Sequence, residues 1–253
     1  MISVPSVAIK SIDSRYESVG ACLAPVLRMA VEPLDTEKLA HTISHDVRAP
    51  LRAVESFASF LVEDAGVLTP AATEDLARLR AAAARLRRRI DAVVDYLRAG
   101  EVVPGARASV HDVFGRIFGT FGVRFVERGG ALTVGEGDAV AAVAPHLLEA
   151  QLGRLVDNVL AHHPGAPHAW LSVAALDGKA RIEVADDGPG LGASDRERAL
   201  ELFGAARPRT DGDERAAAGL AIVARAARAW GGEVSLHERE GGGLVVRLEL
   251  PGA

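Results

Sequence analysis

The sequence predicts a mixed α+β chain, an antiparallel helical hairpin followed by an α/β sandwich, and three observations carry that prediction. Leu76, Leu79, Ala83, Leu86, Ile90, Val93 and Leu97 alternate by three and four, the seam of a helix with coiled-coil character. Gly66-Val67-Leu68-Thr69-Pro70 breaks the helical pattern just before that seam. After Gly100 short alternating runs are interleaved with amphipathic helices, the pattern of a largely antiparallel sheet covered on one face by helices.

Each element follows in order. Residues 1–35 form a lead-in with no motif. From Thr36 to Glu63 the apolar residues Leu39, Ile43, Val47, Leu51, Val54 and Leu61 recur at helical spacing. Thr69 is the expected N-cap of the second helix and Pro70 its first residue, because proline's missing N–H is an orphan there anyway. That helix should run to about Leu97 and stop at Gly100. A lone hairpin leaves much of its apolar stripe in water, so pairing of two copies into a dimeric four-helix bundle is the simplest burial scheme, with packing against the second domain as the alternative. The expected domains are therefore 36–100 and 101–253, after the 1–35 lead-in.

In the second domain His111–Phe121 reads as a helix, Val123–Glu127 and Ala131–Val134 as strands, and His146–Leu160 as a strong helix. Trp170–Ala174 and Arg181–Ala185 pair around an Asp177-Gly178 turn. Helices are expected over Ala193–Phe203 and Gly219–Trp230, and a closing hairpin over Glu233–His237 and Leu244–Leu250 around Glu240-Gly241-Gly242-Gly243.

Composition narrows the classes. A chain of 253 residues with 49% hydrophobic and 25% charged residues folds around an apolar core, and its net charge of −5 argues against a general nucleic-acid binder. The one basic stretch carries Arg78, Arg80, Arg85, Arg87, Arg88, Arg89 and Arg98 against Asp91 and Asp95, a face suited to an acidic partner or to water. A single cysteine, Cys22, permits neither an internal disulfide nor a cysteine zinc cluster and fits a reducing compartment. The apolar run Val19–Val31 is broken by Pro25 and Arg28 and is too short to span a bilayer, so a cytoplasmic chain without membrane insertion is expected.

Chemistry concentrates first in Ser44-His45-Asp46-Val47-Arg48-Ala49-Pro50-Leu51. His45 lies two residues beyond Ile43, a rotation of about 200° on a helix, which points its imidazole to solvent. Pro50 leaves the carbonyl of Asp46 without its intrahelical donor and loosens the helix one turn after the histidine. Asp46 can fix one imidazole nitrogen as a donor, leaving the other a neutral nucleophile. A His-Asp pair on a helix is, taken alone, more often solvated surface.

Three further motifs suggest an anionic nucleotide. Asp186-Asp187-Gly188-Pro189-Gly190 follows a strand, where glycines let a ligand approach the backbone and Asp186 can accept from an amino group such as that of adenine. Alone it would serve equally well as an acidic turn. Asn158, beside Asp157 on a long helix, offers an amide oxygen as a hard ligand for a phosphate-bound magnesium ion, although a helical asparagine is usually only surface. Gly219-Leu220-Ala221-Ile222 opens a helix whose N-terminal dipole favours an anion, by itself a weak signal. His162, His163 and His168 could in principle bind zinc, but with Pro164, Gly165 and Pro167 between them they read better as a polar loop.

In order and spacing these motifs resemble the histidine kinases of two-component signalling, a phosphoacceptor hairpin followed by a GHKL-type (Bergerat-fold) ATP-binding domain, over residues 36–253. Ser44–Leu51 resembles the phosphoacceptor box of phytochrome-type kinases, Leu155–Leu160 the asparagine box and Asp186–Gly190 the Asp-x-Gly-x-Gly box. Glu201-Leu202-Phe203 is similar to the phenylalanine box, and Gly219–Ile222 with Trp230-Gly231-Gly232 to the last glycine box and the end of its helix. The resemblance implies ATP and Mg²⁺ as cofactors, His45 as phosphoacceptor with Asp46 orienting or deprotonating it, and Asn158 as the Mg²⁺ holder. It implies further that Asp186 binds the adenine amino group, that Gly188 and Gly190 shape its pocket, and that Gly219 and Leu220 line the phosphate end. The implied partners are a response-regulator receiver domain, a second copy of the chain, and a separate protein supplying the sensor.

The departures from the family pattern are specific. Arg154 stands where the asparagine box carries a second Asn, Ala161 where it carries a lysine, and Ala217 and Arg215 where the last glycine box carries further glycines. Charge from Arg154 or Arg215 is one compensation, and a rearranged, weaker ATP site is the other outcome. Ala49, four residues after His45, replaces the water-positioning Thr or Asn of many relatives, which argues against strong phosphatase activity. The alternative function is thus a phosphotransfer protein, a regulatory pseudokinase or a dimeric scaffold.

Overall fold

The computed structural model describes residues 40, 43, 48–64, 68–204 and 218–253. Ala40 and Ile43 are helical, α1 covers Arg48–Asp64 and α2 covers Pro70–Arg98. The start of α2 is as read from sequence: Thr69 is its N-cap, and its side-chain oxygen accepts the Ala72 N–H at 3.2 Å. Leu51, Ala83 and Ile90 are buried together, with Ile43 against them, and the pair is tied by Arg48 to Asp91 at 2.6 Å and Arg87 to Glu55 at 3.1 Å. The basic stretch is therefore partly neutralised within the hairpin.

The seam is not continuous. Leu79 and Leu86 remain about half exposed, and the buried residue near the helix end is Val94 rather than Val93. A straight helix drifts away from a strict heptad, and beyond Ile90 the partner of α2 changes from α1 to the sandwich, which rotates the buried face. Val54, Phe57, Phe60 and Leu61 of α1 are exposed as well.

The sandwich contains β1 (Ala108–Ser109), α3 (Val110–Glu127), β2 (Ala131–Val134), β3 (Val140–Ala141), α4 (Pro145–His162), β4 (His168–Leu176), β5 (Lys179–Asp186), α5 (Ala193–Ala199), α6 (Gly219–Ala229), β6 (Glu233–Glu238) and β7 (Leu244–Pro251). The main sheet has five strands in the order β2-β4-β5-β7-β6, parallel only between β2 and β4, while β1 and β3 pair apart. Alternation separates its faces: Leu171, Ile182, Val184, Leu248 and Leu250 point to the core with Phe114, Ile117, Leu148, Leu152 and Ile222 of the helices. The outer face is charged, and directly opposed residues pair there, Arg181 with Glu249 at 2.8 Å and Arg247 with Glu183 at 2.7 Å.

Two expected elements are corrected. Val123–Glu127 is the end of α3, not a strand: its Val and Phe content suggested β, but Phe125 is buried on the helix's core face. Ala193–Phe203 is helical only to Ala199, and Phe203 takes a positive φ of 63°. The Asp177-Gly178 hairpin forms as read, with φ of 51° and 75°, the twist a two-residue loop requires. Among the described residues no helix is long and apolar enough to cross a membrane.

Candidate nucleotide site

His45, Asp46, Arg215 and Ala217 lie outside the described residues. The remaining expected site residues fall at one end of the sandwich, at the C-terminal part of α4, the end of β5 and the start of α6.

Strand β5 delivers Asp186 at its last position, where the chain leaves the sheet. Its Oδ1 accepts the Gly188 N–H at 2.8 Å and the Leu244 N–H at 3.4 Å, which bends the chain into the glycine loop and leaves Oδ2 outside both bonds. Desolvation pushes the Asp186 carboxyl above the usual range, opposed by these two backbone donors and by His163. Gly190, at φ 63°, lies where a Cβ would come within 2.9 Å of the Gly243 carbonyl, and Gly243 itself packs on the Asp186 backbone. The turn between β6 and β7, legible from sequence only as a hairpin, is thus a wall of the site.

Helix α4 positions Asn158 against α6. A Cβ on Gly219 would sit 3.3 Å from Asn158 Oδ1, so the glycine is what lets the amide and the helix start approach. The Leu220 side chain is buried in the core, so only its backbone is available at that end. Ala218 supplies no side-chain cap to α6, so the first-turn N–H groups of that helix have no partner from its own cap residue.

These residues fit a magnesium nucleotide. A half-buried carboxylate that keeps one oxygen outside its backbone bonds suits an exocyclic amine, and an amide oxygen beside a helix start whose own cap residue offers no side-chain acceptor suits a phosphate-bound ion. Magnesium needs few protein ligands when phosphates supply others, and among the described residues no group of three His, Cys, Asp or Glu could hold a metal. His163 and His168 instead both contact Asp187, which accounts for two of the three histidines weighed as zinc ligands.

Arg154, in the position of the missing second asparagine, reaches away from the site to Asp95 of α2 at 3.1 Å. It is one of several ties between α2 and the sandwich: Arg225 stacks over Tyr96 at 4.8 Å and Arg89 lies 5.9 Å from the Phe203 ring, while just past α2 Trp230 Nε1–H donates to the Glu101 carbonyl at 2.8 Å. Arg154 therefore fastens α4 to the hairpin rather than adding charge at a phosphate position.

Residues 144–253 match the family described as histidine kinase-, DNA gyrase B-, and HSP90-like ATPase. The chain is 27% identical over 221 residues to the methanogenesis regulatory histidine kinase FilI of Methanothrix harundinacea, covering 86% of this chain and 25% of FilI. It is 28% identical over 217 residues to the sensor protein CreC of Escherichia coli K12, covering 85% of this chain and 45% of CreC. Full-length ShkA in complex with AMPPNP superimposes with a TM-score of 0.60 at 27% identity, over 85% of this chain and 46% of that one. The chain thus spans between a quarter and a half of the length of these relatives.

Proposed function

We propose, from the membership of this chain among the two-component sensor histidine kinases with a GHKL catalytic domain, that it is an ATP-dependent protein kinase acting on its own His45. The observation that carries the reading is the assembly of Asp186, Gly188, Gly190, Asn158 and Gly219 at one end of the sandwich. Bound Mg·ATP supplies the phosphoryl group and the charge neutralisation that its transfer requires.

The chain's own residues bind and position. Asp186 Oδ2 accepts from the adenine amino group while Oδ1 keeps the glycine loop folded. Asn158 would hold the metal, and the first turn of α6 would offer its N–H groups to the phosphates. Asp46 would keep one nitrogen of His45 protonated so that the other could attack the γ-phosphorus, the N–P bond forming as the bond to the β,γ-bridging oxygen breaks and ADP leaves; the phosphohistidine would then pass its phosphoryl group to an aspartate carboxylate of a receiver domain, restoring the imidazole. The division into a lead-in at 1–35, a hairpin at 36–100 and a nucleotide domain at 101–253 belongs to the same proposal, as does pairing of two hairpins through Phe57, Phe60, Leu79 and Leu86, which are exposed in one copy.

Incubated with γ-labelled ATP and Mg²⁺, the wild type should acquire acid-labile label and His45→Ala none. Equal labelling of both, or of neither, would refute the reading. A second reading, a phosphotransfer protein with little ATP turnover, draws support from the engagement of Arg154 with Asp95. It predicts labelling of His45 by a phosphorylated receiver domain but not by ATP.

A further inference from the structure

The cluster of His163, Asp187 and His168 beside the glycine loop has no part in the roles above. Asp187 Oδ1 accepts the His168 backbone N–H at 2.8 Å and lies 3.1 Å from His163 Nε2, while Oδ2 lies 3.0 Å from His168 Nδ1. The Gly165 N–H donates to His163 Nδ1 at 3.1 Å, so a neutral His163 carries its proton on Nε2 and donates it to Asp187. Arg128, the C-cap of α3, secures the same loop from the other side through the carbonyls of Leu160, His163 and Gly165. His163 is the C-cap of α4, the helix that carries Asn158, and its Cδ2 would lie 3.7 Å from a Cβ on Gly188. One carboxylate thus joins the end of α4, the start of β4 and the first step of the glycine loop.

We propose that Asp187, held between His163 and His168, is a positioning residue for nucleotide binding, fixing the Asp186–Gly190 loop relative to Asn158 through the end of α4. The inference rests on the nucleotide reading of this site. It assigns Asp187 no contact with the nucleotide: its three donors come from the protein.

The test titrates the full chain with Mg·AMPPNP. Asp187→Ala should raise the dissociation constant about tenfold or more, the scale expected on losing charge-assisted hydrogen bonds, while the rate of His45 labelling at saturating ATP changes far less. Asp187→Asn is the conservative rescue. Its Oδ1 can accept from His163 Nε2–H and His168 N–H, and its amide can donate to His168 Nδ1 while that ring is neutral.

Asp187→Asn should therefore keep the dissociation constant within about threefold of the wild type, whereas the loss in Asp187→Ala should appear as a raised KM for ATP with kcat little changed. Unchanged affinity in Asp187→Ala, or a loss in Asp187→Asn as large as that in Asp187→Ala, would overturn the positioning role. A wild type that does not bind Mg·AMPPNP at all would overturn the nucleotide reading itself, a separate and distinguishable result.

Discussion

Asp186 and Asp187 are adjacent carboxylates with opposite electrostatics. Burial raises the Asp186 carboxyl more than its backbone donors lower it. Asp187 is also raised by desolvation, but the His168 N–H, the charge of His163 and the His168 side chain outweigh it and hold the group low. Linkage gives the two opposite signs. Asp186 favours folding below the ordinary Asp range and loses that contribution as pH rises through its raised pKa. The contribution of Asp187 is present above the ordinary range and is lost as pH falls through its lowered pKa. At neutral pH, Asp186→Asn should therefore raise the melting temperature of the nucleotide-free protein, with the gain shrinking toward acid, and at the same time weaken Mg·AMPPNP binding. A variant that melts lower at pH 7 and binds AMPPNP as well as the wild type would contradict the assignment. The motif around Asp186 was legible because its residues are contiguous. The clasp of Asp187 was not, since His163 and His168 come from a loop whose spacing read only as polar.

Elements were legible where local chemistry decides them. Thr69-Pro70 announces the start of α2 through a side-chain acceptor and a missing N–H, and Thr69→Ala should cost about 1 kcal/mol in denaturant unfolding. The last turns of α3 misled because Val123, Phe125 and Val126 favour strands locally, whereas burial of Phe125 rewards continuing the helix. Helix α4 was plain from its period, and its fully buried Leu152 faces the sheet core. Leu152→Ala should cost roughly 2–5 kcal/mol, read as a lowered urea midpoint at unchanged slope. A loss below about 1 kcal/mol would mean that the core closes over the cavity.

At the scale of the molecule, two surfaces connect fold to function. Along the hairpin, Phe57, Phe60, Leu79 and Leu86 leave apolar area in water in a single copy. Leu86→Glu should shift sedimentation from dimer toward monomer, and an unchanged distribution would remove this face from the dimer. Arg154 with Asp95 joins the sandwich to α2, and Trp230 with Glu101 joins it to the segment just past that helix, pairs far apart in sequence, which is why no local motif announced them. The resemblance did identify position 154 as unusual, but only the structure gives its side chain a partner. That contact places the sandwich against α2, the helix that Arg48 of α1 reaches through Asp91. The most direct measurement is peptide mass spectrometry at neutral pH after incubation with Mg·ATP, locating the phosphoryl group on the chain. Phosphate is expected on the His45 imidazole in the wild type and none in Asn158→Ala; phosphate on another residue, or none on a wild type that binds ATP, would contradict the kinase reading.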